Sequence, residues 1–506
     1  LVACVAVGLR YGQDANWDLR NYHYYGAYAF LHGRLRVDVA PSQLQTWFNP
    51  LQSLPTYFLL SYVPPRIAAS VLSALSAFPI VLVVLIAGYG LTPQQRVDTL
   101  LRRGVAGLAG IGAFVSPMFL SELGTTFSDT LGSALLLAAI LAVLAGRFAA
   151  RAHFIAGLFL GLALALKLTS VFFVVAWVAA VVVVERRRFF RPVVLAGLGA
   201  ALTYVPLGGV WSAYMFHKFG NPLFPLYNNV FKSAFYEPIA MSDSRFRPNG
   251  IADALRYFWE WPAGLHPSAE VGFADMRFTL LLILMPLVAA VLIDRRMARG
   301  PAEEGIFDPR ARAFLLTFCI VSFLIWLPLF GIQRYVVALE QLAPLVVIIL
   351  LSCLLRRRAV LLGASGLAIL WIALSTVPAN WERVPFTADW FEVKVPDALR
   401  QENTMFIMLS VEATAYVIPF LPPSDVFVRI EGNMPITPET GLGRVIAGKL
   451  GAHGGEVRTL APSGYEQTQS EARLAAYGLR LDPGDCVDIT SKFGELVSCR
   501  LVRVGS

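Results

Sequence analysis

The segment Gln13-Asp14-Ala15-Asn16-Trp17-Asp18-Leu19-Arg20-Asn21-Tyr22-His23 sets two carboxylates, an arginine, a histidine and several rings directly after a short apolar run. A carboxylate held against an acceptor hydroxyl or amine can take its proton as a general base. Asp18 and Tyr22 stand four apart and share one face of any helix that begins there. Asp14 lies one turn further back. Tyr22 and His23 add groups that can hold a sugar or move a proton. The tyrosine four residues on favours Asp18 over Asp14 as the base. The structural alternative for Asp18 is an N-cap on a surface helix.

Other ionisable groups sit at the ends of apolar runs. Glu122 and Asp129 flank Leu123 to Ser128 and have the chemistry to orient a sugar or balance a cation. Lys167 opens Lys167-Leu168-Thr169-Ser170, a break inside an apolar stretch, where an ammonium must snorkel or find an anion such as a lipid phosphate. Arg334 lies in the tight turn Gly331-Ile332-Gln333-Arg334-Tyr335 and suits bidentate phosphate contact. An internal Arg334–Glu340 pair is the alternative. Asp243 and Arg245 lie in a long segment whose Asn221, Pro222 and Pro225 mark an ordered loop. The candidate base is therefore Asp18 or Asp14. The candidate substrate and lipid-phosphate residues are Lys167, Arg334, Tyr335, Tyr22, His23, Glu122, Asp129, Asp243 and Arg245. No His or Cys spacing marks a metal site, and neither a Walker motif nor a dinucleotide fingerprint occurs. The expectation is chemistry without a cofactor or a metal, although the acids have the donor type to hold a divalent ion. ATP-driven transport is disfavoured.

These residues need elements to position them, and composition says which. The chain has 506 residues, 56% hydrophobic and only 15% charged, with a mean hydropathy of +0.61. That is a polytopic membrane protein rather than a soluble one. Apolar runs fall near 1–9, 66–90, 104–120, 130–146, 153–167, 170–184, 192–216, 277–293, 313–330, 335–355 and 359–378. Leu1 to Leu9 is too short for a bilayer, which takes about 20 residues, so the numbering is expected to begin inside a first helix. A single helix over 153–184 would be ~48 Å long against a ~30 Å core, so two short helices should meet at Lys167. Every second connection is basic: Arg96, Arg102 and Arg103; Arg147 and Arg151; Arg186, Arg187, Arg188 and Arg191; Arg295, Arg296, Arg299, Arg310 and Arg312; Arg356, Arg357 and Arg358. By the positive-inside rule these are cytoplasmic. The net charge of +8 thus reports topology, not nucleic-acid binding. The remaining segments, including long loops 10–65 and 217–276, should lie outside. The aromatic residues of 10–65 (Tyr22, Tyr24, Tyr25, Tyr28, Phe30, Trp47, Phe48, Tyr57 and Phe58) suit amphipathic helices at the membrane interface.

Residues 379–506 differ in kind. Met405 to Leu409 and Val426 to Ile430 read as short strands, and Leu442 to Leu450 and Gln469 to Tyr477 as helices. A small α/β domain outside the membrane is expected. Cys4, Cys319 and Cys353 fall in apolar spans and read as core. Asp485 to Ile489 and Leu496 to Leu501 can pair about a turn at Ser491 to Gly494, which sets Cys486 opposite Cys499. An oxidising compartment would allow a structural disulfide there; two free thiols are the alternative.

On these motifs the chain resembles the GT-C glycosyltransferases, and within them the bacterial relatives of protein O-mannosyltransferases and aminoarabinose transferases. The resemblance rests on Asp18, Tyr22, Gly33, Asn49, Pro50 and Pro55 in the first loop, on Lys167 at a helix break, and on Arg334-Tyr335 opening a late span. Many relatives carry Asp-Glu where this chain has Asp18-Leu19, and the nearby acid here is Asp14. The apolar runs and alternating charge give about eleven transmembrane helices over residues 1–378 with a small extracytoplasmic α/β domain over 379–506. The resemblance also fits a soluble outer domain after the last span and implies a bacterial inner membrane. It implies a polyprenyl-phosphate-linked sugar as donor, membrane lipids as surroundings, inverting attack at the anomeric carbon, and an acceptor the residues do not name. Two other functions stay in view: a non-enzymatic flippase or transporter of a lipid-linked sugar, and a polymerase or ligase for surface polysaccharide. A transporter should place its ionisable groups near the midplane and show internal repeats, and this chain shows neither pattern.

Overall fold

The computed structural model describes residues 1–92, 97–265, 267–297 and 305–504. Arg96 and Arg299 of the basic connections lie outside them, as do the side chains of Arg295 and Arg296.

Each of the eleven apolar runs is helical among the described residues. Seven helices there are long and apolar enough to cross a membrane: Pro65–Gly90, Leu168–Arg188, Phe190–Phe219, Arg277–Asp294, Pro309–Leu329, Gln333–Leu354 and Arg358–Ser375. The other runs form the shorter helices Val2–Tyr11, Thr99–Phe114, Asp129–Ala145 and Ala150–Leu166. Helix starts follow ordinary capping chemistry. Asp98 accepts the Leu101 amide at 2.7 Å, and Asp308, followed by Pro309, accepts the amides of Arg310 and Ala311.

Burial ranks the helices. Gln333–Leu354 is 89% buried over its most apolar window and forms the centre of the bundle, whereas Phe190–Phe219 is only 17% buried. Both are apolar on all sides, so periodicity alone could not separate them. The chain breaks at Lys167, whose extended backbone ends Ala150–Leu166 before Val171–Glu185 begins. The two halves pack differently. Phe173 of the second stacks on Phe318 of Pro309–Leu329, and Trp177 meets Phe314 of the same helix edge-on. The first half lies almost in backbone contact with Phe190–Tyr204. A Cβ on Gly157 would stand 2.1 Å from the Ala196 carbonyl oxygen, and one on Gly161 would stand 2.2 Å from that of Ala200. Small residues at this spacing let two membrane helices approach closely.

The basic ends of the helices gather at one end of the bundle. There Arg310 pairs with Glu185, Arg358 with Asp98, and Arg102 reaches the carbonyls of Gly88 and Thr92. The candidate site residues lie at the opposite end.

The first loop departs from the interfacial picture. Tyr24, Tyr25, Tyr28, Trp47 and Tyr57 are buried, while Phe30, Phe58 and Tyr62 are well exposed. The loop is covered by the C-terminal domain instead. Tyr24 and Tyr57 pack together, and Tyr24 also packs on Phe391 and Phe420. Residues 379–504 carry a five-stranded sheet in the order Val426–Arg429, Met405–Met408, Val457–Pro462, Gly494–Arg503, Leu479–Ser491. The first two pairings are parallel and the last two antiparallel. In the final hairpin Cys486 faces Cys499, and the two are joined as a disulfide. The strand Val457–Pro462 has no clear sequence signal because it carries Arg458, which is nevertheless buried against Glu456, Asp485 and Ser498.

Loop and domain share backbone. Val39 bridges to the outer edge of Val426–Arg429, giving its amide to Phe427 and taking one from Arg429. Beside it, Arg34 binds Asp38 and the carbonyls of Pro423 and Asp425, while Asp38 accepts the Phe427 amide at 3.0 Å. A second strap pairs Gln13 and Asp14 with Val384 and Arg383, just after the last helix.

Gly157→Ala should lower stability by about 1–3 kcal/mol, the usual cost of overpacking a close contact. Gly197→Ala on the facing helix, where a Cβ meets nothing within 4 Å, should be near neutral. Thermal melts of both variants in detergent check this.

Candidate functional site

Asp18 opens a π-helical turn, Leu19–His23. Such wide turns are rare and cluster at functional sites. Asp18 makes no cap bond; the capping side chain is Asn16, whose Oδ1 accepts the Leu19 amide at 2.7 Å. The Asp18 carboxylate is thereby left to turn elsewhere, and it accepts from Arg334 Nη1 at 2.7 Å. Both side chains are about one-eighth exposed.

Asp14 is committed differently. Its Oδ1 accepts from the amide and side chain of Asn16, and its Oδ2 from the amide and hydroxyl of Thr126, at 2.6 to 3.1 Å. Four donors on a fully buried carboxylate make it a clamp between the first two loops. Because the Thr126 hydroxyl gives its proton to Asp14, it can only accept from His23, 3.0 Å away. The proton of His23 is therefore on Nδ1.

The two cations converge from separate helices. Lys167, in its extended break, forms an ion pair with Asp129 and lies 4.6 Å from the ring centre of Tyr335. Arg334 stacks over Phe127 at 4.6 Å and Trp381 at 5.3 Å. A small cavity of about 20 Å³ is lined by Asp129, Ser133, Lys167, Thr169, Ser170 and Tyr335. Glu122 adjoins it: one of its oxygens accepts the Thr130 amide at 3.2 Å. Among the described residues the other Glu122 oxygen, one Asp129 oxygen and Arg334 Nε are buried without a hydrogen-bond partner. Tyr22 packs on His23 at 4.4 Å and on Phe48 at 5.7 Å.

The Arg334 turn is itself clamped. Gly331 has φ 67°, and a Cβ there would stand 1.9 Å from the Phe246 carbonyl oxygen, so glycine is required twice over. Glu340 does not pair with Arg334. It accepts from Gln333 Nε2 at 2.9 Å and from the Met118 amide at 3.2 Å. Asp243 and Arg245 pair with each other on the surface of the third loop; Arg245 also reaches toward Glu270 at 3.9 Å. They border the clamp through Phe246 and are not among the groups that meet at the cavity.

Burial by itself would raise the Asp18 carboxyl, but the Arg334 guanidinium, helped by Lys167, outweighs it and holds Asp18 below the usual carboxylate value. Burial pushes the Tyr22 phenol well up, so it stays a neutral donor. Burial also lowers His23 to about 4.

Several residues of the site carried no recognisable signal. Trp381 and Arg383 follow the last helix, and Trp381 donates to Ser121 Oγ at 3.0 Å while Arg383 donates to the Ser121 and Leu123 carbonyls. A dense Trp381-Glu382-Arg383 run after an apolar span was the available clue. Phe127 and Thr126 had none, since their roles depend on partners from distant loops.

The sequence matches no protein-family model and no curated protein. Its fold does match solved structures. ArnT from Cupriavidus metallidurans bound to undecaprenyl phosphate superposes with a TM-score of 0.52 at 11% identity, over 98% of this chain and 97% of that one. The same protein in its apo state gives 0.51 at 11% identity, over 98% and 96%. The chain has the GT-C fold. It is a multi-pass membrane protein with a C-terminal sheet domain, and the likeness runs through both parts.

Two outcomes follow from the geometry. His23 binds a proton in the unfolded chain near pH 6.5 but only near pH 4 when folded. Stability should therefore be full above about 6.5 and fall as the pH drops toward 4, by on the order of 3 kcal/mol. Melting temperatures across this range should show that slope, and His23→Gln should flatten it. Asp14→Asn should cost about 1–3 kcal/mol, because an amide cannot accept all four donors.

Proposed function

We propose that the protein is a membrane glycosyltransferase that moves a sugar from a polyprenyl-phosphate carrier to an acceptor hydroxyl or amine at the face of the membrane holding the Asp18–Arg334 cluster. The observation that carries this reading is the setting of two carboxylate–cation pairs near one another, Asp18–Arg334 and Asp129–Lys167, the second of them lining a small cavity, in a GT-C fold. The matched ArnT structure contains undecaprenyl phosphate, a ligand whose phosphate needs cations of this kind. We assign that face to the extracytoplasmic side of a bacterial inner membrane, because the arginine-rich helix ends gather at the opposite end.

The roles follow from charge. In a lipid-linked donor the anomeric carbon is esterified to a phosphodiester. The acceptor oxygen or nitrogen attacks that carbon as its proton passes to Asp18. The bond from carbon to phosphate oxygen breaks with its electrons, and polyprenyl phosphate leaves with one more negative charge. Lys167 and Arg334 stabilise that developing charge, Arg334 with its two-pronged donor geometry. The same two cations supply the positive charge that a metal would otherwise bring, so EDTA should leave the transfer rate unchanged.

Each cation is paired with a carboxylate, and the arriving phosphate must compete with it. As phosphate draws Arg334 away, Asp18 loses the guanidinium that holds its basicity down. The base thus strengthens when the donor binds. Asp14, saturated by four donors, has no such freedom, which supports Asp18 as the base over Asp14.

The test is transfer from radiolabelled polyprenyl-phosphate sugars together with binding of undecaprenyl phosphate alone. Asp18→Asn should cut transfer by about 10²–10⁴ yet bind the carrier phosphate more tightly, by about ten-fold, because Arg334 has lost its competitor. Tighter binding also shows that the variant is folded. Full transfer activity in Asp18→Asn would remove the proposed base, and weaker carrier binding would remove the competition.

A further inference from the structure

The third loop contains one long helix, Ile251–Ala263, whose circumference divides into three arcs rather than two. Tyr257 and Trp261 are buried: the Tyr257 hydroxyl donates to the Phe246 carbonyl at 3.1 Å, and Trp261 Nε1 donates to Ser268 Oγ at 2.7 Å. Asp253, Arg256 and Glu260 form a charged arc in which Arg256 pairs with both acids at 3.1 and 2.8 Å. The third arc is apolar and open. Ile251, Leu255 and Trp259, spaced four apart, are 83%, 47% and 61% exposed, with Leu265 exposed just beyond the helix end. A helix lying in water needs one buried and one polar arc. A second, exposed apolar arc carrying Trp and Leu asks for another medium.

The helix sits at a defined level of the bundle. The Trp261 carbonyl accepts the Asp275 amide at 3.1 Å, and the neighbouring Ala274 forms a two-way backbone bridge with Val377. Val377 comes two residues after Arg358–Ser375, a span whose Leu367, Leu370 and Leu374 are exposed. The helix is therefore tied to the level at which a membrane helix with an exposed apolar face ends. Arg277, which begins another span, comes two residues after Asp275.

We infer that Ile251–Ala263 lies in the membrane–water boundary with Ile251, Leu255 and Trp259 inserted among the lipids of the adjacent leaflet. Interfacial helices insert such a face to a depth of about 5–10 Å, and tryptophan favours that level. Asp253, Arg256 and Glu260 face water. The buried arc joins this lipid-held element to the Arg334 turn, because Ser268 binds Trp261 through its hydroxyl and the Gln333 amide through its carbonyl. The bilayer surface thus sets the height of the turn that presents Arg334. The inference concerns the bilayer alone and stands whatever reaction the site performs.

Spin labels on the full-length protein in phosphatidylcholine vesicles test it. Cysteines are introduced singly as Ile251→Cys, Leu255→Cys, Trp259→Cys, Asp253→Cys, Arg256→Cys and Glu260→Cys, in a background with Cys4→Ala, Cys319→Ala and Cys353→Ala. The labels are then probed for collision with oxygen and with a water-soluble nickel chelate. Labels at 251, 255 and 259 should meet oxygen readily and nickel rarely, and labels at 253, 256 and 260 the reverse. Ready access of nickel to 251, 255 and 259 would place that face in water and overturn the inference. Poor access of both reagents would show it covered by protein, a second copy of the chain included, and would overturn it equally. Loss of the helical period across the six positions would remove the helix and the inference with it.

Discussion

The bond between Arg334 and Asp18 joins residues 316 positions apart and decides where three loops and the central helix can lie. A guanidinium this far from bulk water must have a counter-charge. Asp18 is that charge, and Asn16, Thr126 and His23 hold the loop so that it can be. Lys167 and Asp129 repeat the arrangement one helix away. Because each cation is matched by a carboxylate, the site is nearly neutral by itself. Any anion that enters must offer better geometry than the carboxylate it displaces. Phosphate does, and that gives the cluster its selectivity for a phosphate-bearing lipid in the proposed function.

The C-terminal domain is part of this scaffold rather than an appendage. Its sheet takes Val39 of the first loop as an edge partner, and Arg429 reaches from the sheet to the Pro41 carbonyl. Ser42 in turn exchanges hydrogen bonds with Asn21 inside the turn that Asp18 opens. A continuous path of short contacts therefore runs from the sheet to the candidate base. The aromatic residues of the first loop fill the space between the two bodies, which is why they are buried and not spread along a membrane surface.

Much of the architecture was legible. The apolar runs located the helices because a bilayer admits little else, and the ~48 Å length of 153–184 required a break at Lys167. Short apolar runs located the strands at Met405 and Val426, and the pairing of two such runs about Ser491 to Gly494 located the hairpin that sets Cys486 against Cys499. The interfacial reading of Tyr24, Tyr25 and Tyr57 failed for a physical reason. A ring suited to a membrane boundary is equally suited to a domain interface, and nothing local distinguishes the two. The helix that does show an open apolar arc, Ile251–Ala263, lay in a different loop.

Residue types and spacing by themselves determined that this is a multi-helix membrane chain with acids and cations concentrated at helix ends, since charge in an apolar sequence is costly unless it has a use or a partner. They also named ionisable groups that the fold brings close together: Asp14, Asp18, Glu122, Asp129, Lys167 and Arg334. Only the tertiary structure decided the pairings. Asp18 rather than Glu340 answers Arg334, Asp129 answers Lys167, and Asp14 is consumed by Thr126 and Asn16. Pairing depends on which side chains come within about 3 Å of one another, and contacts between residues hundreds of positions apart are properties of the folded chain alone.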